Sequence, residues 1–311
     1  MTMTVKQIGS FGAEITDIDL SAPLDAAMMK EIVDVVAKHR VAVFRDQHLD
    51  KAAYDRFGRL WGNPIDFFFT PDIDPDFPAL IRISNSPDLD PGRRDGAAFW
   101  HTDGSYEYLP ASFTMLLAVE APDAGGETRF ADLVGAYDAL PAETKARIDG
   151  LTVRHMLVGG KRGEDEAPVK LDADDKNRDG GIRARKRASE QPEHPLVLTH
   201  PITGRKSLYA ISGTPIGVLG MSDDEGLALL DELKRHALQP QFRIEAKACT
   251  GDVLIWDNFA TVHAATPLEY SHEDGKRRVL LRISTNGLPP MYSHLTPAFV
   301  KPEGVTSLKF A

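Results

Sequence analysis

Ala98-Phe99-Trp100-His101-Thr102-Asp103-Gly104-Ser105 is the stretch around which the chain is organised. In an extended backbone alternate side chains point to opposite faces, so His101 and Asp103 project together while Thr102 points away. An imidazole and a carboxylate then sit side by side on a strand. A third donor would make a metal site, and His263 offers one, just after Gly251-Asp252-Val253-Leu254-Ile255-Trp256-Asp257-Asn258. His-x-Asp is a short pattern that a hydrogen-bonded structural histidine satisfies equally, so the surrounding sequence has to decide.

Outward from this stretch, short β-type runs recur at 13–20, 41–45, 80–83, 113–119, 153–158, 195–198, 207–211, 242–246, 253–256 and 279–284. Many short strands separated by Gly, Pro and Asp turns predict a sandwich or barrel. A few amphipathic helices are expected outside it. Asp25 can cap one carrying Met28, Met29, Ile32, Val33 and Val36; Asp50 can start another through Tyr54, Phe57 and Leu60. Ser222-Asp223-Asp224-Glu225 fits a capping box ahead of Leu227, Leu230 and Leu233. The fold class is mainly β with flanking helices (α+β).

The chain has 311 residues, without an internal repeat or low-complexity linker, so a single domain over 1–311 is expected. The one compositional break is 161–193, where charges of both signs crowd together without Phe, Tyr or Trp. That segment is expected to be a surface insertion, and an active-site lid is one role open to it. Its basic cluster at 183–187 is offset by acidic neighbours and carries no stacking aromatic. With a formal charge of −10, a nucleic-acid surface is not expected. No apolar run approaches the roughly 18 residues of a membrane span, and residues 1–7 lack a signal-peptide core, so a cytoplasmic location is expected. Cys249 is the only cysteine. Disulfides and thiolate clusters are thereby excluded within the chain, and a metal would be held by His and carboxylate.

Two histidines and one carboxylate on one face of an octahedral ion leave the other face open, the donor set of non-haem Fe(II) oxygenases. Such an enzyme using a 2-oxo acid needs a cation for the far carboxylate of that acid, and arginine suits this through its planar, permanently charged fork. In Lys276-Arg277-Arg278-Val279-Leu280-Leu281-Arg282-Ile283-Ser284, a strand would put Arg278, Leu280 and Arg282 on one face. Paired surface arginines are the competing explanation.

In combination, Trp100-His101-Thr102-Asp103, Gly125-Gly126-Glu127-Thr128, Trp256-Asp257-Asn258 with His263, and Arg278 with Arg282 resemble the taurine dioxygenase/2,4-D dioxygenase family of Fe(II)/2-oxoglutarate enzymes. The resemblance extends to Phe11-Gly12-Ala13-Glu14-Ile15, Val43-Phe44-Arg45-Asp46-Gln47, Phe130-Ala131-Asp132, Ala136-Tyr137-Asp138-Ala139-Leu140-Pro141 and His200-Pro201-Ile202-Thr203-Gly204-Arg205-Lys206. It implies a double-stranded β-helix, the cupin-like jelly roll. It implies His101, Asp103 and His263 as Fe(II) ligands, Thr128 and Arg278 as partners of 2-oxoglutarate, and O2 as the second cosubstrate. Arg282, with the Gly104 amide nearby, corresponds to the contact for an anionic substrate group, and self-association into a homo-oligomer is expected by the same analogy.

Two departures bear on the substrate. Residues 271–275 lengthen the turn ahead of the arginines. Ala97 stands where taurine-acting members carry an amide side chain, so taurine is not the expected substrate. Phe67, Phe68, Phe69, Tyr106 and Tyr108 are candidates to line a pocket for an apolar or aromatic body, with core packing as the alternative. The implied reaction is hydroxylation of a small anionic molecule with release of succinate and CO2. Desaturation, cyclisation or oxidative cleavage of an amino-acid-derived acid is a second possibility, and a non-catalytic metal-binding jelly roll a third.

Overall fold

The computed structural model describes residues 3–65, 72–88, 98–157 and 190–300. The charged stretch up to 189, together with Phe67, Phe68, Phe69 and Ala97, lies outside the described residues.

The expected helix starts are present. Asp25 accepts from the Met28 amide to open α1 (Ala26–His39), whose buried stripe includes Met29, Ile32, Val33 and Val36. Asp50 does the same for Ala53 at α2 (Lys51–Arg59), which buries Tyr54 and Phe57. Two short helices were not legible as repeats: α3 (Leu133–Asp138), capped by Asp132, and α4 (Ala142–Ile148), which follows Pro141. At α5 (Asp223–Ala237) the Ser222 hydroxyl accepts from the Glu225 amide while the Glu225 carboxylate accepts from the Ser222 amide, completing the capping box. Leu229, Leu230 and Leu233 are its buried leucines, and Leu227 is only half-buried. Among the described residues no helix is long and apolar enough to cross a membrane.

The strands, in chain order, are β1 (Thr4–Gln7), β2 (Ala13–Thr16), β3 (Val41–Phe44), β4 (Asn63–Pro64), β5 (Ile81–Ser84), β6 (Phe113–Glu120), β7 (Thr128–Asp132) and β8 (Thr152–His155). They continue with β9 (Glu193–Pro195), β10 (Val197–Thr199), β11 (Lys206–Leu208), β12 (Pro215–Val218), β13 (Arg243–Ala246), β14 (Val253–Asp257), β15 (Thr261–Ala265) and β16 (Val279–Asn286). One large sheet runs β1-β2-β3-β14-β6-β16-β4, with β5 also against β16; a smaller one runs β13-β7-β15. β12-β8-β9 and β10-β11 form two further small sheets.

Side-chain alternation along the large sheet separates its two faces. Phe113, Met115 and Leu117 of β6, Val253 and Ile255 of β14, and Leu281 and Ile283 of β16 join a core with α1 and α2. The intervening Leu116, Ala118, Leu254, Trp256 and Leu280 meet Phe130, Ile244 and Ala246 of the smaller sheet. Behind the smaller sheet, Ala131 and Val262 pack with α3 and α5. The result is two facing sheets clothed by helices, the jelly-roll architecture, as packed layers and not a closed barrel.

The two strands that carry Thr128 and His263 are not among the runs expected from sequence. β7 and β15 read Thr-Arg-Phe-Ala-Asp and Thr-Val-His-Ala-Ala, mixtures of small, polar and apolar residues with little β-branched content. Their burial comes from the layers on either side. The β-type runs at 13–20, 153–158 and 207–211 proved longer than the strands formed, which end at Thr16, His155 and Leu208.

Ile255 is fully buried in the core beneath the two N-terminal helices. Ile255→Ala is expected to lower unfolding stability by about 2–5 kcal/mol through lost burial plus a cavity, measured by urea denaturation. A change under about 0.5 kcal/mol would contradict this assignment of the core.

Candidate metal centre

His101 and His263 are joined by a reciprocal backbone bridge: each amide donates to the other's carbonyl at 2.9 Å. In an antiparallel pair, residues that exchange both hydrogen bonds stand directly opposite and share a face. The imidazoles therefore lie together, ring centroids 4.2 Å apart. Asp103 arrives differently from the strand geometry expected of it. Only His101 is bridged, and the chain turns immediately afterwards: Gly104 has φ +64, and the Glu107 amide donates to the Gly104 carbonyl. Asp103 reaches the same side because its amide donates to Asn258 Oδ1 at 3.2 Å and its Oδ2 accepts from the Thr114 hydroxyl at 2.8 Å. Gly104 is needed here, since its backbone is left-handed and a Cβ would come within 3.1 Å of the Ala111 nitrogen.

The three side chains each offer a donor atom, all within 4.8 Å of one another. His101 Nε2 lies 3.7 Å from Asp103 Oδ1, and His263 Nε2 lies 3.7 Å from Asp103 Oδ2. Those separations are too long for hydrogen bonds, so the lone pairs face a common space. His101 Nδ1 is 2.8 Å from the Phe99 carbonyl, which can only accept; Nδ1 carries the proton and Nε2 is left as a ligand atom. Burial, with His101 adjacent, pushes His263 down to about 3, so its imidazole is neutral. Burial opposes ionisation of Asp103, but the neighbouring His263, Arg282 and His101 and the Thr114 hydroxyl outweigh it and hold the carboxyl below its usual range. Two imidazoles and a carboxylate without thiolate are a donor set that fits Fe(II).

The two arginines have different settings. Arg282, on β16, places Nη1 3.9 Å from Asp103 Oδ1. Arg278 lies just before that strand, beside a register shift at Val279 and Leu280, so the simple alternation expected to unite the pair does not extend to it. Its backbone is held by Asn85, whose Oδ1 accepts from the Arg278 amide at 2.7 Å and whose amide nitrogen Nδ2 donates to the Glu269 and Lys276 carbonyls. Asn85 thus ties the lengthened 271–275 turn to the sheet. The Arg278 stem passes Gly126, where a Cβ would be 3.7 Å from Cδ, and Gly126 leads to the buried Thr128 at the start of β7. Among the described residues no carboxylate pairs with Arg278, its Nε is buried without a hydrogen-bond partner, and burial lowers its pKa. A half-buried guanidinium with an unpartnered Nε and no carboxylate beside it is a site that calls for an anion.

Tyr106 is half-buried on the turn that follows Asp103. That turn is braced from beneath: Ser105 Oγ meets Thr214 Oγ1 at 2.7 Å, Thr214 meets His155 Nδ1 at 2.9 Å, and His194 Nε2 donates to the Glu107 carbonyl at 2.9 Å. Thr114, Ser284 and Asn85 belong to none of the motifs quoted from sequence, and Asn258 enters there only as part of Trp256-Asp257-Asn258, without a role. A usable signal existed for one of them: Thr114 is a polar residue within the apolar run of β6.

Residues 4–284 match the family described as taurine catabolism dioxygenase TauD, TfdA. The alpha-ketoglutarate-dependent 2,4-dichlorophenoxyacetate dioxygenase of Cupriavidus pinatubonensis is 31% identical over 287 residues, covering 88% of this chain and 94% of that protein. The alpha-ketoglutarate-dependent sulfate ester dioxygenase of Pseudomonas putida is 30% identical over 284 residues, covering 91% and 89%. The crystal structure of AAD-2 with Mn(II) and N-oxalylglycine superposes with a TM-score of 0.75 at 28% identity, covering 96% of this chain and all of that one.

The bracing histidines carry a pH signature. Burial pushes His194 down to about 4 and His155 well below its ordinary value. The unfolded chain binds their protons first, so their contribution is complete above about pH 6.5 and is lost as pH falls from there, for His194 towards about 4. Unfolding free energy measured from pH 7 to 5 should drop by up to about 1.4 kcal/mol per pH unit for each of them. The His194→Gln variant should remove close to one proton from that slope; an unchanged slope would refute the buried neutral assignment.

Proposed function

The chain belongs to the TauD, TfdA family and is a 2-oxoglutarate-dependent dioxygenase; from that premise we propose that His101, Asp103 and His263 bind its Fe(II) and that Arg278 with Thr128 binds 2-oxoglutarate. The observation that carries this is the convergence of two imidazoles and a carboxylate within 4.8 Å, with the half-buried Arg282 3.9 Å from that carboxylate. When bound, Fe(II) with 2-oxoglutarate supplies O2 activation and the oxidising power for hydroxylation, releasing succinate and CO2.

The residues divide the remaining work. His101 Nδ1 is pinned to a carbonyl, so its ligand nitrogen is preset, and His263 is wedged against Trp256 and Phe130 with ring centroids 4.6 and 6.1 Å away. Both rings are thereby oriented in advance, which lowers the ordering cost of binding a metal. Arg278 offers a permanent charge, its Nε buried, to the distal carboxylate of the cosubstrate, and Thr128 adds a hydroxyl. Arg282, beside the ligand carboxylate, is the candidate contact for the substrate's anionic group, with the Gly104 amide and Tyr106 on the facing turn. Phe67 and Phe68 are retained as candidate lining residues on sequence grounds. The substrate class favoured is a small organic anion with a C–H bond next to a heteroatom, as in the aryloxyacetate and sulfate ester named for the two relatives. Hydroxylation at such a carbon gives a product that collapses and releases a carbonyl fragment.

Anaerobic addition of Fe(II) and 2-oxoglutarate should produce the visible metal-to-ligand charge-transfer band. Admission of air with a panel of aryloxyacids, sulfate esters and sulfonates should yield succinate; absence of both band and succinate across the panel would sink the proposal. Arg278→Ala should raise the 2-oxoglutarate KM by roughly 10- to 100-fold, the loss of one charge-assisted carboxylate contact, with Mn(II) affinity near wild type. Arg282→Ala should instead raise the KM of the organic substrate, and an unchanged value would remove Arg282 from the substrate site.

A further inference from the structure

Thr114, Asn258, Ser284 and Trp256 lie behind Asp103 on the inner face of the large sheet, and the register of three strands brings them together. Thr114 of β6 stands opposite both Trp256 of β14 and Ser284 of β16. Thr114 and Asn258 are fully buried, and Trp256, Asp103 and Ser284 are at most 9% exposed, so solvent is not at hand to substitute for a missing partner.

The hydrogen bonds have one consistent direction. Asn258 Oδ1 lies 3.2 Å from both the Trp256 indole nitrogen and the Asp103 amide. Both of those groups can only donate, which fixes the carboxamide with its oxygen toward them. Asn258 Nδ2 then donates to Thr114 Oγ1 at 3.0 Å. Thr114 has one proton of its own and two neighbours that could take it: Asp103 Oδ2 at 2.8 Å and Ser284 Oγ at 3.0 Å. The ionised carboxylate can only accept, whereas Ser284 can donate. The threonine proton therefore goes to Asp103, and Ser284 donates to Thr114. The hydroxyl is saturated, with two bonds received and one given.

We infer that Thr114 is a positioning residue that holds Asp103 as a one-oxygen ligand, engaging Oδ2 and leaving Oδ1, which faces His101 Nε2 at 3.7 Å and Arg282 Nη1 at 3.9 Å, as the donor, with Asn258 and Trp256 fixing the direction of the threonine proton. The inference rests on Asp103 being a metal ligand, as proposed above. Its consequence follows from counting. An octahedral ion has six positions; two imidazoles and one carboxylate oxygen fill three, a chelating 2-oxo acid takes two, and one remains for O2. A carboxylate binding through both oxygens would take that last position. A hydrogen bond to Oδ2 from a group that cannot turn elsewhere works against this mode, and bonds to ligating carboxylates commonly matter for metal affinity.

The test compares Thr114→Val, which keeps the shape and removes the hydroxyl, with Thr114→Ser, which restores it. The readouts are Mn(II) affinity by titration without cosubstrate, the position of the Fe(II)/2-oxoglutarate charge-transfer band, and succinate formed per substrate hydroxylated. Thr114→Val should weaken Mn(II) roughly 10- to 100-fold, shift the band and raise uncoupled succinate formation, while Thr114→Ser stays close to wild type on all three. Ser284→Ala, which removes only a bond that Thr114 receives, should have the smallest effect of the set. Thr114→Ala serves the same comparison should the valine fail to fold. A folded hydroxyl-free variant with wild-type Mn(II) affinity, band and coupling overturns the inference alone, provided that Asp103→Ala abolishes Mn(II) binding. If wild type binds no Mn(II), the metal-site reading falls and this inference falls with it.

Discussion

The reciprocal backbone bridge between His101 and His263 is the contact on which the site depends. It joins the turn that follows β5 in the chain to a strand of the smaller sheet, and it does so with main-chain hydrogen bonds that no side-chain substitution removes directly. Because a bridged pair shares a face, the two imidazoles are placed together before any metal is considered. Everything else at the centre is arranged about that pair. Trp256 and Phe130 flank one ring, the Phe99 carbonyl sets the tautomer of the other, and Asn258 draws the Asp103 turn back toward them.

Electrostatics and packing then act in opposite directions, and their balance prepares the site. Burial keeps His263 neutral, while Arg282 and the Thr114 hydroxyl favour the ionised form of Asp103 against the same burial. At Arg278 burial is not balanced at all among the described residues, leaving a guanidinium whose natural complement is an anion. The cost of placing that charge is met by the fold around it: Asn85 ties down the preceding turn, and the sheet beyond it is a continuous apolar core. A single mainly β scaffold thereby holds two imidazoles and a carboxylate within 4.8 Å of one another and places Arg282 Nη1 3.9 Å from that carboxylate.

Much of this could be read from residue order, because local chemistry carries it. The caps at Asp25, Asp50 and Ser222 and the apolar stripes behind them announce three helices. Continuous apolar runs announce the strands whose two faces are both covered. His101, Asp103 and His263 stand out by donor type, and Arg278 and Arg282 by the need of a 2-oxo acid for a cation. Harder to read were β7 and β15, whose small and polar residues are buried only by what packs on either side. The expected strand through Asp103 was wrong in form though right in outcome, because Gly104 turns the chain there and Asn258 supplies the orientation that alternation was thought to provide.

What residue order settled was the kind of chemistry: which donors are present, which cannot be, and which charges a cosubstrate would need. That follows because ligand type and helix capping are properties of side chains and their near neighbours. The support for those donors was decided only by the tertiary structure. Thr114, Asn258 and Ser284 come together through strand register across residues more than a hundred positions apart, and Asn85 reaches Arg278 across a still wider gap. Register and layer packing are set by the whole core at once, so no local stretch of sequence contains them.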